Sequence, residues 1–253
     1  MDVAASGSSG RRIAFRVLGW VLGILTLGYS FYFVVVAVVS TDPSNTIHRF
    51  HFVSGFTGGG LIGLFSIALV QRPDWTAAFH VLVGQATAWT IGGLMGGDFL
   101  TGLYVTAPVG VIILAFLHPD PRSLLRLPGR PNIALLTYAL IATVPAWIYA
   151  VTEAELQHGP ATDPHVQFHH WSGVAVAALS IAAAAIATSL RGRGWEFANG
   201  ITSIAAILFG VGGLVFSDYA GAPPSAWSWV AIAAGIGFWL LARIEVAREA
   251  PAT

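Results

Sequence analysis

The sequence contains no cysteine. That absence removes disulfides, thiolate metal sites and covalent c-type haem attachment together. A metal held by this chain must therefore use imidazole, carboxylate or carbonyl ligands. Lysine is also absent, all twelve basic residues being arginine, which excludes a retinal Schiff base of the rhodopsin kind. Charge is scarce: only 9% of the 253 residues are Asp, Glu, Lys or Arg, and the formal net charge is zero. Arginines dispersed along a neutral chain make no basic stripe, so nothing in the pattern points to a nucleic-acid partner.

Apolar length takes the place of charge. The chain is 55% hydrophobic with a mean hydropathy of +0.72, outside the balance of a soluble domain. It reads as an all-α integral membrane protein with the lipid bilayer as its surroundings. Crossing a ~30 Å hydrocarbon core takes roughly 20 apolar residues. About eight such windows are present, near 13–39, 50–70, 76–97, 101–117, 132–151, 169–190, 196–216 and 225–243. The first is longer than a signal-peptide core of about 7–15 residues and reads as a retained span. Its Arg11-Arg12 pair lacks the rest of a twin-arginine pattern.

With eight spans, Arg11, Arg12, Arg16, Arg72, Arg122, Arg126, Arg130, Arg191, Arg193, Arg243 and Arg248 all fall on one side. The positive-inside rule makes that side cytoplasmic and places both termini there. Arg49 alone breaks the pattern. The opposite face collects Asp42, His48, His51, Asp98, Glu153, Glu155, His158, Asp163, His165, His169, His170 and Asp218.

An internal repeat organises these residues. "TDPSNTIHRFHFVSG" from Thr41 and "TDPHVQFHHWSG" from Thr162 begin alike and both end in Ser-Gly. Phe50-His51 and Ser54-Gly55 match Phe168-His169 and Ser172-Gly173. Arg72 and Trp75 correspond loosely to Arg193 and Trp195, and "GGLMGGDF" (92–99) matches "GGLVFSDY" (212–219), aligning Asp98 with Asp218. The offset stays at about 120 residues, the signature of a duplicated unit. The expected organisation is a 4+4 parallel repeat: a cytoplasmic segment 1–12, repeats at 13–130 and 131–243, and a cytoplasmic tail 244–253. An even number of spans per unit returns the second half in the first half's orientation, so matched residues share one depth.

His165 and His169 are spaced i, i+4, and His48 and His51 i, i+3; on continuous helices each pair would point from one face toward a metal or a porphyrin iron. Histidines are also simply tolerated in a headgroup region. Asp98 and Asp218 would sit at helix C-termini, where the dipole disfavours an anion, so a cationic partner is expected beside them. The Gly-rich stretch Ser54–Gly63 suits close helix packing in lipid or a flat macrocycle lying against the backbone. "HHWSG" resembles, over those few residues, the His-x-Trp-x-Gly type of segment of some membrane b-type cytochromes. Glu153 and Glu155 read as solvated loop acids. His80, with Gln85 deeper in the same span, reads as a hydrogen-bonding residue or part of a proton path. No Asp, Glu or Arg falls near the centre of a span, where ion-coupled transporters commonly keep them.

The expected function is a membrane oxidoreductase or electron-transfer protein holding copper, iron or haem b at the extracytoplasmic face, with a membrane redox partner. His51 and His169 are the expected primary ligands and Arg49 the partner of a haem propionate. His48, His165 and His170 are accessory ligands, and Asp98 and Asp218 orient imidazoles through N–H···carboxylate bonds. One alternative is a zinc-dependent membrane hydrolase, with zinc activating water beside Ser54 or Ser172. The other is a permease or non-catalytic subunit.

Overall fold

The computed structural model describes residues 3–102, 104–125 and 131–249, with side chains for 9–102, 104–125 and 131–248. Arg126, Arg130 and the outermost residues of both terminal segments lie outside the described residues. Among the described residues there are eleven helices and no strand: α1 (Val3–Val39), α2 (Pro43–Thr46), α3 (Arg49–Gln71), α4 (Thr76–Met95), α5 (Thr106–Leu117), α6 (Pro121–Leu124), α7 (Ile133–Leu156), α8 (Pro164–Gln167), α9 (His170–Ser189), α10 (Trp195–Val215) and α11 (Ser225–Glu249). In so apolar a chain, helices satisfy the backbone polar groups without help from water.

Six of them, α1, α3, α7, α9, α10 and α11, are long and apolar enough to cross a membrane. α4 has 20 residues but carries His80, Gln85, Thr87 and Thr90. α5 has 12 residues, or about 18 Å, less than a hydrocarbon core. α3, α4, α9 and α10 pack against one another at the centre, around Phe65, Leu69, Val81, Leu82 and Ala184. α1 packs on α3 and α5, and α7 packs on α9 and α11; α4 packs on α9 and α5, and α10 packs on α3 and α11. The outer helices expose large apolar side chains, including Ile24, Phe31, Ile141, Ile148, Trp229 and Leu240.

The glycine-rich start of α3 is a packing surface. A Cβ on Gly63 would stand 3.0 Å from the Gly23 carbonyl oxygen of α1, and one on Gly23 would stand 3.1 Å from that of Gly63. Gly59 likewise meets Ser30 of α1, and Gly58 meets Ala177 of α9. Helices take up the stripe that a macrocycle would need, as small residues in lipid favour.

The N-termini of α3 and α9, the C-termini of α4 and α7, and the α10–α11 turn gather at one end of the bundle. Arginines gather at the other. There the Arg11 guanidinium donates to His118 O at 2.6 Å, Arg193 pairs with Asp74 at 2.9 Å, and Asn132 donates to Glu245 at 2.7 Å.

Candidate metal centre

Two short helices deliver the histidines. Asp42 caps α2 by accepting from Ser44 N–H, and Asp163 caps α8 by accepting from His165 N–H, each at 2.9 Å. Each is followed by proline at the first helical position, where a missing N–H costs nothing. The same local code thus builds both approaches to the site. The first residue after the shared Thr-Asp-Pro differs: where the first approach has Ser44, the second has His165.

His165 is oriented by the aspartate that caps its helix. Its Nδ1 lies 2.9 Å from Asp163 Oδ1 and its Nε2 3.4 Å from Ile47 O; in the tautomer whose Nδ1–H donates to the carboxylate, Nε2 carries the lone pair a metal would use. A carboxylate behind the imidazole is the usual way a metal-binding ring is fixed in tautomer and direction. Asp163 also accepts from the Trp171 indole at 3.4 Å, and that indole packs against His165 and His51 at ring-centroid distances of 4.9 and 5.0 Å.

His48, the residue before α3, and His51, in its first turn, are 4% and 5% exposed. Ligand nitrogens of His48, His51 and His165 all lie within 4.8 Å of one another. Three imidazoles on one tetrahedral ion with bonds of about 2.0–2.1 Å would stand about 3.4 Å apart, so side-chain adjustments on the order of 1 Å close the set. Burial, with His165 beside it, lowers the His48 pKa to about 4, which leaves that ring neutral and able to ligate at physiological pH. Neither nitrogen of His51 has a hydrogen-bond partner. A fourth ring, His170, stacks on His51 at 5.3 Å and meets His48 Nδ1 to Nδ1 at 2.9 Å. One of those two nitrogens carries the proton and the other accepts it.

His169 stands apart. The helix that the i, i+4 spacing requires is broken between α8 and α9, because His169 adopts the left-handed conformation with φ 57°. That turn carries His170 toward His48 and sends His169 to the end of α4, where its Nδ1 lies 2.8 Å from Asp98 Oδ1. Tyr104 donates to His169 O at 2.7 Å, and Ser172 donates to Asp98 Oδ2 at 2.5 Å. Asp98 and His169 are thus within ion-pair distance, without a hydrogen bond at Nδ1. Asp218 is exposed, and the neighbouring Tyr219 instead accepts from Arg49 at 3.0 Å. Arg49 also donates to Ser40 O at 3.1 Å. The structure thus brings together His48, His51, His165 and His170, and places His169, Asp98, Asp218 and Arg49 elsewhere. His80 lies near the other end, 3.3 Å from Leu124 O, and Gln85 donates to Ser180 O at 2.9 Å.

Asp163 is the residue whose role the Asp-Pro-His spacing signals, a helix cap that also orients a ligand. Glu153 is not the solvated loop acid expected from its place in the sequence. α7 continues to Leu156 and buries Glu153 at 6% exposure, whereas Glu155 is exposed. No known protein family, curated protein or solved structure matches the chain.

Proposed function

We propose that this chain is a membrane protein that holds a copper or iron ion in the His48–His51–His165 centre and uses it for electron transfer or another redox reaction with a membrane partner. The observation that carries this reading is the convergence of three imidazole nitrogens within 4.8 Å of one another, two of them on nearly inaccessible side chains. Imidazole without sulfur suits copper and iron. A centre with two of its three imidazoles buried suits electron transfer better than water activation, because the surrounding shell controls solvent access and potential. The serines considered for hydrolysis are already engaged, Ser54 with His51 O and Ser172 with Asp98. An ion is favoured over haem b because the four rings touch one another and His169 faces Asp98 rather than His51.

The proposal includes eight spans in a 4+4 parallel arrangement, both termini cytoplasmic and the histidine end outside. The matching of α1–α3 packing by α7–α9, and of α4–α9 by α10–α3, supports the repeat. Between Asp98 at the histidine end and His118 at the arginine end, the chain passes through α5, which supports a crossing there despite that helix's length.

Metal analysis with electron paramagnetic resonance on detergent-purified protein tests the reading. Copper or iron that ferricyanide and dithionite cycle between two states is expected, with His51→Ala removing it. Zinc would overturn the redox assignment, and no metal would overturn the centre itself.

A further inference from the structure

Three neutral imidazoles contribute no charge against a divalent ion, and a tetrahedral set leaves one position open. Glu153, on α7, is a buried carboxylate that can supply both, whereas Asp163, the carboxylate bonded to His165, is already engaged with that ring and with Trp171. It is 6% exposed, and its Oε2 has no hydrogen-bond partner. His51, 5% exposed, likewise has neither nitrogen paired. A single point in the turn between α10 and α11 faces both groups. A Cβ built on Gly221 would stand 2.6 Å from His51 Nε2 and 3.3 Å from Glu153 Oε2. Gly221 has φ +77°, a conformation glycine adopts freely, and the missing side chain leaves that space open.

A buried carboxylate oxygen and a buried imidazole, both unpartnered and facing one small space, are each costly alone. A cation between them resolves both at once. We infer that Glu153 is the oxygen ligand of the centre, completing a three-histidine, one-glutamate donor set. This rests on the metal-binding reading above and adds a third helix to it. The carboxylate supplies one negative charge toward a divalent ion and fills the position a water would otherwise take. It also ties α7 to α3 and α8 through the ion.

Cobalt(II) titration of the metal-stripped, detergent-purified protein, followed by its visible ligand-field bands, tests the inference. Wild type is expected to bind cobalt, and His51→Ala to lose it. Glu153→Gln should bind at least tenfold more weakly, with shifted bands because a neutral amide replaces the anionic oxygen; Glu153→Asp should recover part of both. Gly221→Ala, which replaces no donor atom, should also weaken binding by placing a methyl against His51 Nε2 and Glu153 Oε2 in the shared space, and it serves if Glu153→Gln does not fold. Wild-type affinity and bands in Glu153→Gln and Gly221→Ala, with His51→Ala still losing metal, would overturn Glu153 as a ligand and leave the three-histidine centre standing. Weaker binding of Glu153→Gln with unchanged bands would reduce Glu153 to a partner of His51 and also overturn direct ligation. A wild-type protein that binds no cobalt would overturn both readings.

Discussion

Asp42 and Asp163 each accept from a backbone N–H two residues on, but Asp163 alone also holds an imidazole, at 2.9 Å. The pair separates structural from chemical roles within one molecule. Asp42→Ala and Asp163→Ala should both lose thermal stability, since each removes a side-chain cap from a short helix, and Asp163→Ala more so because it also strips the His165 ring and the Trp171 indole of their acceptor. Only Asp163→Ala should weaken metal binding, by about 10–100-fold, because it frees the His165 ring to rotate and to change tautomer. Equal metal affinity in the two variants would show that the carboxylate behind His165 caps the helix and nothing more. The histidines themselves were legible as a cluster from their density in an apolar chain. Which of them converge was not, because that depends on a single left-handed residue.

The break between α8 and α9 decides the composition of the centre. Histidine visits the left-handed region more readily than most non-glycine residues, and here Asp98 on the ring and Tyr104 on the carbonyl hold it there. Periodicity over 165–170 gives no hint of this, since the contacts come from α4 and the segment after it. His169→Ala keeps the unfavourable φ and loses the ring's partner, so it should destabilise the protein by about 1–2 kcal/mol while retaining the metal. Unfolding midpoints and metal content of the same preparation check both halves of that statement, and loss of metal would return His169 to the centre. Helix ends were the other illegible feature. Hydropathy fades near 151, yet Glu153, Ala154, Glu155 and Leu156 include strong helix formers, and α7 continues through them. Those extra residues carry Glu153 inward.

Across the whole molecule, most arginines lie at one end and the histidine cluster at the other, with Arg49 among the histidines and His80 and His118 among the arginines. Apolar windows gave the long helices closely, as with 196–216 against Trp195–Val215 and 225–243 inside Ser225–Glu249. The fourth window, 101–117, gave only the 12-residue α5, because residues 98–102, 104 and 105 turn back through bonds such as Gly102 N to Asp98 O and Val105 N to Phe99 O. Whether the chain crosses the bilayer there sets the parity of everything after it. A cysteine-free chain makes that measurable, because any introduced thiol is the only one. Ser44 and Ala161, both exposed at the histidine end, should as Ser44→Cys and Ala161→Cys react in intact cells with a membrane-impermeant maleimide. Gln71→Cys, at the end of α3, and Ser123→Cys, in α6, should react only after permeabilisation. Ser123→Cys carries the most weight, since it alone among the four lies between α5 and α7. If it labels from outside while Gln71→Cys does not, α5 fails to cross and the eight-span arrangement falls. If all four patterns reverse, the eight spans stand and the histidine centre faces the cytoplasm, where it would have to meet its partner for electron transfer.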